Sequence, residues 1–307
     1  MKRLLLFLSL IAGGEVIAQA DSLQADIAES VAANEASIEA LEDSLFQYRN
    51  QVFEADNDYD RMLANDAFTE MVRTVTKHPR AFAYPFQQLK SVSTVKSPDG
   101  AFRLFNWNVE NDDRTHSYFC FIVKNDKAKS VIELIESPID PRNPEKVVLN
   151  EYEWMGAVYY DIIPVKRKGK TYYTLLGWDG NDRITTRKLI EVFSWSINDN
   201  LKLGAPLFKS NSGLKKRIVF EHNGDVSMSL RYEKEKERIV FNHIAPMEER
   251  LAGNVEYYIP DLSFDAYELE KGKWFFAEDV DVRLERKMKN NFYNFPKDPI
   301  KRPNSKK

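Results

Sequence analysis

The chain has 307 residues, 43% of them apolar and 12% aromatic, with 44 Lys and Arg against 47 Asp and Glu. A formal charge of −3 gives no bulk electrostatic case for nucleic acid as a partner. The one cysteine, Cys120, rules out an intramolecular disulfide framework. It lies in the apolar run Tyr118-Phe119-Cys120-Phe121-Ile122, where a buried, inert thiol is expected.

The first twenty residues read as a secretory leader. Lys2 and Arg3 give a basic start, residues 4–11 are apolar, and Ala18-Gln19-Ala20 matches a cleavage site. The apolar run is shorter than the roughly 20 residues that span a bilayer, and no later segment is long and apolar enough to do so. Position 21 is Asp rather than Cys, so no lipid attachment is expected there. The mature chain is expected to start near Asp21, with 42 basic against 46 acidic residues, and to be periplasmic or secreted.

Residues 21–85 form an acidic segment with helical patterning. Ile27, Val31, Asn34, Ile38, Leu41, Leu45, Tyr48 and Val52 alternate spacings of four and three, which predicts one long helix over 22–53 capped by Asp21 or Ser22. The stripe suits packing on the protein's own body, or oligomerisation through helix 22–53. Glu35 and Glu42 would repel across a parallel self-pair. A second helix is expected over 65–77, with Phe68, Met71, Val72 and Val75 on one face and Pro79 limiting it.

Residues 86–282 then read as strands. Apolar runs rich in Val, Ile, Phe, Tyr and Thr fall at 89–95, 101–109, 116–124, 131–135, 157–165, 171–177, 188–197, 216–221, 226–232, 238–243, 256–259 and 273–277. Turn signals separate them, among them Ser97-Pro98-Asp99-Gly100, Asp179-Gly180-Asn181-Asp182 and His222-Asn223-Gly224-Asp225. The pattern predicts a mainly β body of antiparallel meander sheets, as a sandwich, open barrel or propeller-like array, preceded by the helical segment. Residues 283–307 form a basic tail containing Pro296, Pro299 and Pro303 and expected to be disordered.

Catalytic signatures are missing: there is no Gly-x-Ser-x-Gly elbow, His-Glu-x-x-His, Walker loop or Gly-x-Gly-x-x-Gly, and no cofactor is implied. Of the four histidines, His78 is placed at a helix end, where a cationic ring suits the dipole, and His222 in a turn. His116 and His243 fall at strand edges, the two positions closest to a cleft. None has ligand spacing for a metal. Glu133, Glu136, Glu151, Glu153 and Asp161 are acids available for paired-carboxylate chemistry, with nothing in the sequence to pair them. Asp179, Asn181 and Asp182 allow either a tight hairpin, with Gly180 taking the positive backbone angle, or part of a calcium site, which Arg183 opposes. Trp107 and Trp195 have apolar neighbours, whereas Trp154 and Trp178 border turns and are candidate platforms for a sugar face.

Ser97-Pro98-Asp99-Gly100 with Phe102-Arg103, Leu175 to Asn181, Lys188 to Val192, Tyr258 to Asp265 and Lys273-Trp274 to Asp281 together resemble a group of uncharacterised secreted β-rich proteins of the Gram-negative envelope. The resemblance covers roughly residues 60–285 and implies an envelope or secreted location, with no catalytic residue to carry over. Two functions follow as expectations. One is a non-catalytic envelope protein that binds a protein or glycan; the other is a hydrolase of envelope glycan or peptide.

Overall fold

The computed structural model describes residues 37–283 except 127, 129, 138–141 and 211–212. The leader, the start of the acidic segment and most of the basic tail therefore lie outside the described residues. The described chain is mainly β, with antiparallel sheets after an N-terminal helix pair, and no barrel closes. None of its helices is long and apolar enough to cross a membrane.

Helix α1 (Ile38–Glu54) begins where the Ser37 side chain accepts the Ala40 N–H. One helix from 22 to 53 is therefore not what forms: Ser37 has extended backbone and caps a new start. The chain breaks again at residues 55–57, and Asn57 caps α2 (Asp58–Lys77) by accepting the Asp60 N–H. That second helix starts seven residues before the expected 65, because Asn57, Asp58 and Asp60 supply a cap and a negative first turn. Ile38, Leu41, Leu45 and Val52 of α1 pack with Phe68, Val72 and Val75 of α2 onto one face of the first sheet. The α1 stripe is thus covered by its own protein, which removes 38–52 as a self-pairing seam. Glu42, expected as a flanking surface charge, is buried and accepts the Tyr84 hydroxyl and the Gln88 N–H, both at 2.8 Å.

Sheet 1 has the order β1 (Phe102–Glu110), β2 (His116–Lys124), β3 (Val131–Leu134). Alternation divides its side chains cleanly. Phe105, Trp107, Val109 and Phe121 face the helices, whereas Phe102, Leu104, Tyr118, Cys120 and Ile122 face sheet 2. Sheet 2 has the order β10 (Ile218–Asn223), β6 (Thr185–Trp195), β5 (Lys170–Asp179), β4 (Val158–Arg167), with β7 (Leu201–Leu203) added to β6. Its far face, carrying Ile163, Val165, Leu176, Ile190 and Val192, packs on sheet 3. Sheet 3 comprises β11 (Leu230–Glu233), β12 (Arg238–Pro246), β13 (Tyr258–Glu270), β14 (Lys273–Ala277), β8 (Phe208–Ser210) and β9 (Gly213–Lys215). The result is a sandwich extended by a third sheet. Helices and sheets stack in chain order around three apolar interfaces.

Segment 89–95 is not a strand; it runs beside β1 through the isolated bridge between Ser93 and Asn106 and the Leu104 N–H on the Val95 carbonyl at 2.9 Å. The Ser97–Gly100 turn forms, with the Gly100 N–H on the Ser97 carbonyl at 2.9 Å. Cys120 is free and wholly buried, and burial pushes its thiol far above the ordinary range.

Strand β4 is an edge of sheet 2, so the Ala157 carbonyl just before it and the Tyr159 N–H within it find their partner on sheet 1. Asn106 of β1, fully buried, meets them. Its Nδ2 donates to the Ala157 and Phe119 carbonyls at 3.0 and 2.9 Å, and its Oδ1 accepts the Tyr159 N–H at 2.6 Å. Replacing Asn106 by Leu strands these buried groups and is expected to cost about 3 kcal/mol. Urea unfolding measures this, and a loss below about 0.5 kcal/mol would mean that water serves the edge instead.

Candidate functional site

Sheets 1 and 2 meet at one end in a polar constellation built by strand parity. His116 and Tyr118 on β2 share the face of Cys120, which looks at sheet 2. Asp179 on β5, Arg187 on β6 and Glu221 on β10 stand opposite one another in the ladder and form a cross-strand row. Arg187 reaches Glu221 at 3.0 Å and Asp179 at 3.4 Å. Tyr118 joins the two sheets: its hydroxyl donates to Asp179 Oδ1 at 2.8 Å and accepts the Gly180 N–H at 2.6 Å. Burial and the neighbouring Asp179 carboxylate push the Tyr118 phenol far above its ordinary value, so it stays a neutral donor.

The residues flagged in the 178–182 loop are brought together, but in different roles from those expected. Gly180 does not carry the positive backbone angle; Asn181 does, at φ 53°. Gly180 is needed because a Cβ there would collide with the His116 ring. Asp182 Oδ1 accepts the Ile184 and Thr185 N–H groups at 2.7 and 2.8 Å, as a turn carboxylate does. Asp179 is only 5% exposed, and it also accepts the Asn181 N–H at 2.7 Å. Its oxygens are aimed at Tyr118, Asn181 and Arg187, which is the geometry of a locked turn rather than of a cation ligand. Trp178 is half-buried, its Nε1 on the Thr186 hydroxyl at 3.0 Å and its ring edge-on to His116 at 5.3 Å between centroids. Trp154 is 1% exposed with its Nε1 on the Tyr159 hydroxyl, so it is core and not a platform.

Three open clefts adjoin here. The first, of about 510 Å³, is lined by Tyr118, Glu136, Asp179 and Arg187, and it shares His116 with the second, of about 410 Å³, beside Trp178 and Asp182. The second shares Glu110 and Arg114 with a third, of about 450 Å³, beneath α1. Shared lining residues place them side by side, as a groove in three segments along the end of sheets 1 and 2. His116 Nδ1 accepts from Asn108 Nδ2 at 3.0 Å, which places the ring proton on Nε2. Burial lowers the His116 pKa below its usual value.

The other flagged groups lie elsewhere. Glu133 pairs with Arg73 of α2 at 2.6 Å, Glu153 accepts from Asn150, and Asp161 sits in the β4 bulge with burial raising its pKa. Glu151 lines a separate cleft near Asn150. Glu136 accepts the Tyr118 N–H at 2.7 Å and is the one of the five acids that lines the first cleft. His78 is buried and its Nδ1 accepts the Arg80 N–H, so that nitrogen carries no proton. His222 lies within β10 and not in a turn, buried, with its Nδ1 on the Asn223 carbonyl.

His243 does line a cleft, of about 360 Å³, on sheet 3. A bulge between Asn242 and Ile244 presents it, and its Nδ1 meets the buried Asp265 at 2.8 Å. Asp265 was not legible as its partner, since the pairing crosses two strands at a bulge. The dyad has the orientation of a general base. Among the described residues, however, no side chain hydrogen-bonds its Nε2. Comparisons with family models, curated proteins and solved structures give no match for this chain.

Two outcomes are expected. Gly180→Ala drives a methyl into the His116 ring and is expected to cost about 1–3 kcal/mol, with much of the loss recovered when His116→Ala is added; additive losses in urea unfolding would contradict the contact. The hydrogen bond that the His243 Nδ1–H donates to Asp265 raises the His243 pKa. Its contribution is therefore full below about pH 6.5 and lost as pH rises through the raised value. His243→Gln is expected to destabilise the protein in mild acid and much less in alkali. A pH-independent difference would show that no charged pair forms.

Proposed function

We propose that this protein is exported and acts as a non-catalytic binding protein whose groove takes a glycan of the cell envelope. Export rests on the leader, from Lys2 and Arg3 through the apolar run to Ala20. The observation that carries binding is the row of adjoining clefts around His116, which together form the groove. Carboxylate, amide, hydroxyl and guanidinium groups line it, the Trp178 ring stands beside it, and the Tyr118–Asp179–Gly180 contacts fix its floor. Such a surface offers many directional partners to a polyhydroxylated ligand and little apolar area to a lipid. Fixed polar groups bind without an ordering cost.

The hydrolase reading asks for two free carboxylates across a bond. Glu136 and Asp179 do share a cleft, but Asp179 is committed to Tyr118 and Arg187 and is nearly inaccessible. That commitment favours binding over catalysis.

Isothermal titration of the full chain against a panel of envelope glycan fragments tests the proposal. A saccharide is expected to bind without being cleaved, and Trp178→Ala is expected to weaken it about tenfold, the effect of losing an aromatic anchor. Absence of binding across the panel, or binding indifferent to Trp178→Ala and His116→Ala, would overturn it.

A further inference from the structure

Four arginines are buried among the described residues, and three of them are fully committed. Arg103 spreads its guanidinium over the carbonyls of Thr94, Ala81 and Tyr84. Arg217 meets Glu191 at 2.7 Å, and Arg238 meets Glu233 at 2.8 Å. Arg49 differs. It is 4% exposed, its Nε donates to the Ser91 hydroxyl at 3.3 Å, and its Nη2 donates to the Asn108 carbonyl at 3.0 Å. Its Nη1 is buried with no hydrogen-bond partner, and no described carboxylate pairs with it.

A buried guanidinium without a counter-charge is costly. Burial pushes the Arg49 pKa down to about 10, with no acid nearby to oppose the shift. Its compensation comes from ring faces: the guanidinium lies 4.5 Å from the Phe53 centroid and 5.7 Å from that of Phe68. Phe68 is core, but Phe53 is 62% exposed and stands free on the last turn of α1.

Arg49 and Phe53 line the third cleft, the end of the groove beneath α1. The other cations there are already answered, Arg61 by Asp58 and Asp112 and Arg114 by Glu110. The uncompensated charge in this cleft is that of Arg49. Asn108 connects it to the rest of the groove, since its carbonyl holds Arg49 and its side-chain amide holds His116.

We propose that Arg49 is the anion anchor of the groove, and that the bound glycan is acidic, with one carboxylate docking on the Arg49 guanidinium as the Phe53 ring swings aside. This rests on the groove being a glycan site. A single uncompensated positive charge calls for a single negative one, and the planar guanidinium matches a planar carboxylate. Phe53 covers the cation while the groove is empty and leaves it when the carboxylate replaces the ring face.

The test is titration of the full chain with tri-galacturonate and with its methyl ester, which keeps the sugar and removes the charge. The acid is expected to bind about tenfold tighter than the ester, the worth of a charge-assisted hydrogen bond. Arg49→Met is expected to abolish that preference, acid and ester then binding alike, while its circular dichroism and melting temperature report its folding. Phe53→Ala, a change at an exposed ring, is expected to widen the preference for acid over ester. Equal binding of acid and ester by the wild type would overturn the anchor and leave the groove standing. Equal changes in both ligands with Phe53→Ala would overturn the role of the ring. If neither ligand binds while another saccharide of the panel does, the acidic-glycan anchor fails and the groove stands; if no saccharide binds, both fail.

Discussion

The side-chain amide of Asn106 is the contact on which the rest of the arrangement depends. Strand β4 is an edge of sheet 2, and the Ala157 carbonyl and Tyr159 N–H on its unpaired side are buried in the protein interior. Buried backbone groups without partners would oppose folding by about 1–3 kcal/mol each. One asparagine answers both while staying in register with Cys120 on its own sheet. Apolar packing brings the two sheets together but tolerates sliding, whereas two directional bonds from one side chain, to the Ala157 carbonyl and from the Tyr159 N–H, set their relative position. Sheet 1 can therefore present His116 and Tyr118 at a defined height against Asp179 and Arg187.

Groove and core are in this sense one construction. The same face of β2 carries Cys120 and Ile122 into the apolar interface and Tyr118 and His116 into the polar end, without a change of strand. Charges in this region follow the rule that buried ions are paired. Arg187 stands between two acids, and Arg217 pairs with Glu191 while holding the Leu203 carbonyl at 2.9 Å. Arg103 has carbonyls in place of a carboxylate, and Arg49, where the helix pair covers sheet 1, has neither for its Nη1. A protein that keeps one cation unanswered in a cleft gives up stability that a ligand can restore.

Strand existence was legible wherever alternation ran without interruption. Residues 116–124 and 273–277 were read with the bounds that β2 and β14 have. The expected run 256–259 stops before Pro260, whereas β13 continues to Glu270. The proline sits beside the β12 bulge, opposite Ile244, where it still fits the ladder. The helix boundary at Ser37 was missed because the apolar spacing continues through it, and a cap is a hydrogen bond rather than a period. At the site, the 178–182 loop stood out by composition. Its roles depended on Tyr118, sixty-one residues away, and on a close approach of His116 to Gly180 that no local pattern records. Trp154 borders a turn and reads as a platform, yet the turn stays at the surface while the Trp154 ring enters the core, where the Tyr159 hydroxyl takes its N–H. The isolation of Arg49 was out of reach, since a missing partner is a property of three dimensions.

The central claim is that ligand binds where sheets 1 and 2 meet, and amide chemical-shift mapping tests it most directly. In a titration of the isotopically labelled chain with a saccharide that binds, the account predicts shifts concentrated at Arg114, Ser117, Gly180 and Asn181. Little change is expected around His243 and Asp265 on sheet 3. Shifts confined to the sheet 3 cleft, or spread evenly over the chain, would contradict it.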